Sequence, residues 1–440
     1  MNRRVYSDPK AFLEQNEALG TGLPYSEDVS VLGEAVSIGA HIAPNRIVCQ
    51  AMEGCDGRAD GAPDELTRRR YLRLAKGGAG VIWFEATACC REGRANPRQL
   101  YLTRENADEF RRLLEEIRKT SLAENGYAPL ILMQNTHSGR YSKPDGAPAP
   151  LIAYNNPIFE KEHPIDPSRI LSDEELDRVG ENLVASSRLA QEVGFDGVDI
   201  KCCHRYLNSE LLSAYERKGR YGGSFENRTR LLRESIEGSL AACRGDFTVS
   251  TRLNVYDGFV YPWGFGVKRD GSLDFDPEEP TRLLRQLRAL GVDLVNVTMG
   301  NPYVNPHVNR PFAKGGYEVE EHPLKGVARM LLGIAELKRA VPELKIISSG
   351  LSYLGVAAPN VAAALIKEGG FDLAGFGRTI FAYPDFARDI LREGRMKPET
   401  LCLCCSKCTE LMRSGSTPGC VLRDALYREL YQQKIIRGSN

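Results

Sequence analysis

The sequence predicts an α/β fold: a (β/α)8 TIM barrel with an N-terminal hairpin and a C-terminal cysteine-rich segment. Short β-branched apolar runs alternate with amphipathic helical stretches, giving eight strand–helix units over roughly 330 residues. No G-x-G-x-x-G fingerprint follows a strand, so no dinucleotide-binding domain is expected. The longest unpatterned stretches, 137–171 and 255–276, follow the third and fifth strands, where a barrel carries its active-site loops. A doubly wound sheet is the alternative; the number of units favours the barrel.

The elements follow in order. Residues 29–46, VSVLGEAVSIGAHIAPNR, read as a hairpin that could plug the bottom of the barrel. The eight strands are RIVCQAM (46–52), GVIWFEAT (80–87), PLILMQNT (129–136), GVDIK (197–201), FTVSTRLN (247–254), LVNVTMG (294–300), KIISSG (345–350) and LAGFGR (373–378). Between them lie helical stretches such as 105–120, 172–193, 228–244 and 325–341. Ser172 with Glu175 three residues on is a capping-box pattern. The strand–helix pattern ends at residue 395, dividing the chain into a barrel over 1–395 and a cysteine-rich segment over 396–440. The last residues, 421–440, read as one helix with a polar end.

The chain has 440 residues, with 58 basic and 58 acidic side chains. That balance, without a run of five or more like charges, argues against a nucleic-acid-binding face. No segment approaches the roughly 20 apolar residues of a membrane helix. The N-terminus lacks the apolar core of a secretory signal, so a cytoplasmic protein is expected. Five of the twelve cysteines lie between 402 and 420, which points to a metal site or a reactive pocket before a disulfide framework.

The chemistry gathers at strand ends. The stretch KCCHRYL (201–207) closes the fourth strand and brings Lys201, His204 and Tyr206 to the barrel mouth. A phenol suits a proton donor, and a cation or imidazole suits an oxygen that gains charge. Lys201 with His204 would form a strongly positive oxyanion site; the other reading turns Lys201 out to solvent and leaves His204 alone. SSG (348–350) and GFGR (375–378) end the seventh and eighth strands, where such barrels commonly bind phosphate. They offer Ser349, Gly350, Gly377 and the charge of Arg378, or else serve only as tight turns. Arg252, inside apolar strand five, needs an anionic ligand or a buried ion pair. His137 either contacts substrate or orders its loop. In the tail, Cys402-x2-Cys405-x2-Cys408-x11-Cys420 suits a cubane iron–sulfur cluster, with zinc as the rival; Cys404-x3-Cys408 fits part of the pattern too.

These motifs resemble the old yellow enzyme family of flavin-dependent oxidoreductases. The nearer resemblance is to its iron–sulfur branch, with 2,4-dienoyl-CoA reductase and trimethylamine dehydrogenase. It covers roughly residues 30 to 425 and rests on NRIVCQAM, GGAGVIWFEATA, QNTHSGR, FDGVDIKCCHRYLNSELLS, YGGSFENRTR, GFGR and the cysteine tail. The resemblance implies FMN and a [4Fe–4S] cluster on Cys402, Cys405, Cys408 and Cys420. It implies that Ala51, Met52 and Ala86, otherwise core residues, line the flavin. Gln134 would bond the pyrimidine ring, and Arg252 would face the edge that gains charge on reduction. It implies an ene-reductase, with hydride from flavin to the β-carbon and a proton from Tyr206 to the α-carbon. The alternatives are an amine dehydrogenase or demethylase, and a flavin/iron–sulfur electron-transfer subunit. Two departures stand out: Lys201 replaces the family's usual first histidine, and Arg205 a usual glycine. Expected partners are a small unsaturated carbonyl compound and NAD(P)H or a donor protein such as a ferredoxin, flavodoxin or reductase. The donor protein is expected because the larger relatives carry reductase domains beyond the cluster.

Overall fold

The computed structural model describes residues 4–438. Its centre is a closed ring of eight parallel strands, one in each expected window. They are β1 (Ile47–Cys49), β2 (Val81–Ala88), β3 (Leu130–Thr136), β4 (Gly197–Ile200), β5 (Thr248–Asn254), β6 (Leu294–Thr298), β7 (Lys345–Ile347) and β8 (Ala374–Phe376). Neighbours pair in chain order, and β8 returns to β1 with Phe376 opposite Cys49. A bridge between Ile347 and Leu373 closes the ring, which excludes an open doubly wound sheet.

Helices cover the outside because one face of each is apolar. The helix Asp173–Val193 buries Leu176, Val179, Leu183, Ala190 and Val193, at the spacing that keeps them on one side. Each buried leucine contributes roughly 1.5–3 kcal/mol. The expected capping box starts it: Ser172 Oγ accepts from the Glu175 N–H at 3.2 Å, and the Glu175 carboxylate accepts from the Ser172 N–H at 2.7 Å. Gly194, at φ +100°, ends it in the left-handed conformation that glycine adopts without strain.

The hairpin Val36–Ile38/His41–Ala43 closes the bottom of the barrel. Val36, Ile38 and Ala43 pack with Val48, Val81, Trp83, Leu132 and Leu294 in one apolar cluster. Higher in the barrel the interior turns polar. Trp83 Nε1 and Gln134 Nε2 both donate to Asp199 Oδ2, at 2.6 and 2.7 Å. A bulge at Glu85 shifts the β2–β3 register, so that Phe84 faces Met133 and Ala86 faces Gln134. The extra residue turns its carboxylate outward to Arg70, Tyr71 and the Gly54 N–H, and Ala86 is re-aimed to the mouth.

The tail differs from the single helix expected over 421–440. The chain turns through 421–424, and Asp424 caps a helix of only Ala425–Tyr431 by accepting from the Leu426 N–H at 3.2 Å. A π-turn, Gln432–Ile436, follows, and Ser439 and Asn440 lie outside the described residues. The side chain of Asp424 spends its remaining capacity on Arg69 (2.9 Å) and Arg73 (2.6 Å), docking the tail on the helix Glu65–Lys76. Among the described residues no helix is long and apolar enough to cross a membrane.

Candidate active site

The mouth of the barrel opens into a cleft of about 1140 Å³. Ala51, Met52, Ala86, Gln134, Lys201, His204, Tyr206, Arg252, Ser349, Gly350, Gly377 and Arg378, drawn from seven strand ends, all line it. His137 does not. Its Nδ1 accepts from the Gly139 N–H at 3.1 Å, so it orders its own loop.

One end of the cleft is built for an anion. Gly350 stands at φ +95°, a conformation strained for any side chain, and an added Cβ would press on the Met330 sulfur at 2.9 Å. Beside it lie Ser349, Ser352, Gly377, Arg378 and two arginines that the sequence reading missed, Arg310 and Arg413. Burial, with Arg378 and Arg413 close by, lowers the pKa of Arg310 to about 10. Arg310 Nη1 and Arg378 Nη1 are buried without hydrogen-bond partners in the protein, a costly arrangement that a phosphate would relieve. Arg252 Nε, deeper in the cleft, is likewise unpaired. The Arg252 charge acts on the buried Asp199 carboxylate, lowering its pKa against the effect of burial. These orphaned donors, with Gln134 and Ala86 side by side on the floor, fit FMN.

The substrate side is made by the fourth strand end. Lys201 does not turn out to solvent: it is 4 % exposed, and its Nζ lies 3.6 Å from the centroid of the Tyr206 ring. Burial lowers its pKa, while Cys203, Glu53 and Asp199 oppose that shift. His204 lines the same cleft. Burial first, then Arg252 and Lys201, hold its pKa well below the usual imidazole value. A neutral His204 leaves the positive charge to Lys201 and Arg252. Burial raises the pKa of Tyr206 well above 10, which keeps its phenol protonated. Its hydroxyl lies 2.8 Å from that of Tyr303. Tyr303 and Glu53 are further cleft residues that the sequence reading missed. Both lie four or five residues beyond a strand end, on the rim, a position that marks the loop but does not single out these side chains. Burial raises the pKa of Glu53; the nearby Lys201 acts against this.

The KCCHRYL backbone is strained. His204 (φ +63°) and Arg205 (φ +59°) are consecutive left-handed residues, neither of them glycine. Arg205 holds the turn from below. Its fully buried guanidinium donates to Asp257 Oδ2 at 2.9 Å and Tyr154 Oη at 3.2 Å. Asp257 is itself fixed by the Phe265 N–H (2.9 Å) and Asn254 Nδ2 (2.7 Å). The substitution of the family's glycine is therefore structural: a buried ion pair replaces conformational freedom.

Behind the anion end lies a second, smaller cavity of about 380 Å³. Cys402, Cys404, Cys405, Cys408 and Cys420 all line it, and Arg378, Phe381 and Cys408 border both cavities. All five thiols are free. Among the described residues no three potential ligands already converge on a metal position. In kind and number the thiols suit a four-thiolate cluster, and Cys404 shares the cavity with the four expected ligands. Burial opposes the charge on Arg378, but Cys404, Cys402, Cys408 and Cys405 together raise its pKa.

Residues 32–263 match the model of the NADH:flavin oxidoreductase / NADH oxidase family. An NADPH dehydrogenase of Clostridium acetobutylicum is 27% identical over 372 residues, covering 83% of this chain and 94% of that protein. A cinnamate reductase of Clostridium sporogenes is 24% identical over 413 residues, covering 92% of this chain and 59% of that protein. Among solved structures, a 2-naphthoyl-CoA reductase in complex with 2-naphthoyl-CoA superposes with a TM-score of 0.73 at 20% identity, over 92% of this chain and 58% of the other. A histamine dehydrogenase from Rhizobium sp. 4-9 gives 0.67 at 20% identity, over 89% and 52%. The chain thus spans nearly all of the first relative and little more than half of the others. The chain belongs to the NADH:flavin oxidoreductase / NADH oxidase family of FMN-dependent oxidoreductases.

Proposed function

We propose that the enzyme is an ene-reductase acting on a C=C bond conjugated to a carbonyl, in an enone, an enoate or an enoyl thioester. One observation carries the reading: a protonated phenol, Tyr206, and a buried lysine, Lys201, share one cleft with the arginines Arg310 and Arg378. Bound FMN in its reduced form supplies hydride. Lys201 and neutral His204 hold the carbonyl or carboxylate oxygen and stabilise the charge that develops on it. Tyr206 gives its proton to the α-carbon. The relative named for cinnamate and the neighbour solved with 2-naphthoyl-CoA support carbonyl compounds of this class. The amine reading is weaker here, because an ammonium already lies over the Tyr206 ring. A cationic amine would meet Lys201 and Arg252.

The thiol cavity is proposed to hold a [4Fe–4S] cluster rather than zinc, and its shared wall with the cofactor cleft favours electron exchange. Iron and acid-labile sulfide analysis separates the two metals. NAD(P)H, for which the relatives are named, is one electron source; a ferredoxin, flavodoxin or separate reductase is the other. Anaerobic photoreduction followed by enones, unsaturated acids and enoyl-CoA thioesters tests the function: flavin reoxidation by one class supports it. If none of them reoxidises the flavin and amines reduce it, the reading is overturned.

A further inference from the structure

We propose that Tyr303 is a second member of the proton path, giving Tyr206 a proton as Tyr206 gives up its own. This rests on the reading of Tyr206 as the acid. The hydroxyls of the two tyrosines are 2.8 Å apart, and Tyr206 is 2 % exposed. Bulk water therefore has little direct access to the phenol that must be reprotonated. Tyr303 is less buried and stands in the loop after β6.

The loop is held as a positioned element should be. Asn301 accepts from the Tyr303 N–H at 2.7 Å through its side-chain oxygen. Its amide nitrogen donates to Tyr141 Oη at 3.1 Å. Tyr141 stacks on Tyr303 with ring centroids 3.9 Å apart and planes inclined by 26°. One asparagine thus fixes both rings, and the stack fixes the direction of the Tyr303 hydroxyl. A residue needed only to fill the mouth would not require its hydroxyl within hydrogen-bond reach of the acid.

The step balances. Hydride from the reduced flavin forms the C–H bond at the β-carbon, and the electron pair of the C=C bond moves to the α-carbon. The O–H bond of Tyr206 breaks as the α-carbon takes its proton. The Tyr303 hydroxyl proton passes to the Tyr206 oxygen, and water reprotonates Tyr303. No charge is left in the site at the end. Burial disfavours both phenolates, so transfer from Tyr303 as Tyr206 releases its proton avoids leaving a buried phenolate.

The test is a proton inventory on the FMN-loaded enzyme in H2O/D2O mixtures. It uses 2-cyclohexenone, or whichever enone, unsaturated acid or enoyl thioester reoxidises the photoreduced flavin fastest. The wild type should give a bowed dependence of rate on deuterium fraction. Tyr303→Phe should give a straight line and a rate lower by about tenfold, short of the 10²–10⁴-fold loss typical of removing the acid itself. Tyr141→Phe, which keeps the stack but contributes no hydroxyl to the path, should keep the bow. An unchanged bow in Tyr303→Phe overturns the relay. A normal rate in Tyr206→Phe, or no alkene accepted at all, overturns the reading on which the relay rests.

Discussion

Replacing Arg205 by glycine restores the residue usual in the family and should nevertheless destabilise this protein. Two opposing effects can be sized. Arg205 sits at φ +59°, and a non-glycine residue there costs about 1–2 kcal/mol, which glycine would recover. Its guanidinium is wholly buried against Asp257, and removing one partner of such a pair costs about 3–5 kcal/mol, since the other charge is left unpaired. Tyr154 Oη loses a donor as well. The net expectation is a loss of about 1–4 kcal/mol, the difference of those two ranges. Urea unfolding of the FMN-loaded protein, followed by far-ultraviolet circular dichroism, reads it as a lowered midpoint at unchanged slope. The double variant Arg205→Gly/Asp257→Asn should recover part of the loss, because a neutral amide does not demand a cation. If Arg205→Gly is as stable as the wild type, the buried pair does not hold the strained turn, and the account of this motif is wrong.

Three other outcomes follow from the site and the tail. Tyr206→Phe should retain FMN but slow flavin reoxidation by an activated alkene by roughly 10²–10⁴-fold, read by anaerobic stopped flow. Arg378→Ala removes a charged donor from the anion end, which at about 1.5–3 kcal/mol weakens FMN binding by about 10–100-fold in a fluorescence titration of the apoprotein; the same variant should lower iron content, since Arg378 borders both cavities. The pKa of Asp424 is held below its usual 3.8: burial pushes it up, but the pairs with Arg69 and Arg73 outweigh that. The depressed folded value means that its contribution is complete above the ordinary carboxylate range and is lost as pH falls below it. Limited proteolysis should therefore release the tail at lower pH than it attacks the barrel loops at neutrality, and Asp424→Asn should release it already at pH 7.

The barrel was legible because its strands obey a local rule. Each is a short apolar run closed by a glycine or polar cluster, and burial on both faces lets nothing else fit. The cleft followed from the same rule, since ligand-facing residues sit one or two positions past a strand's last apolar residue. Lys201 could be named for that reason and Gly350 as a turn glycine just beyond β7, whereas Arg252 stood out as a cation inside an apolar strand. What stayed hidden depends on contacts between distant segments. Arg310 belongs to a loop with no strand to orient it, and only the fold brings it beside Arg378. Glu53 and Tyr303 stand on the rim, but nothing local separates them from solvent-facing side chains.

The charge state of His204 was out of reach for a deeper reason. Sequence shows that an imidazole is present, but protonation depends on what surrounds it. Here burial, Arg252 from a strand 48 positions later, and the neighbouring Lys201 all oppose a charge on the imidazole. Adding a third positive charge in a buried site costs more than the imidazole gains by protonation. The same reasoning explains why Arg205 reads as an anomaly in isolation. Its cost is local and visible as a missing glycine, whereas its compensation lies at Asp257, on another loop. A site residue that breaks a local rule is best understood by finding the distant group that makes the departure stable, and in this chain that group is a single buried carboxylate.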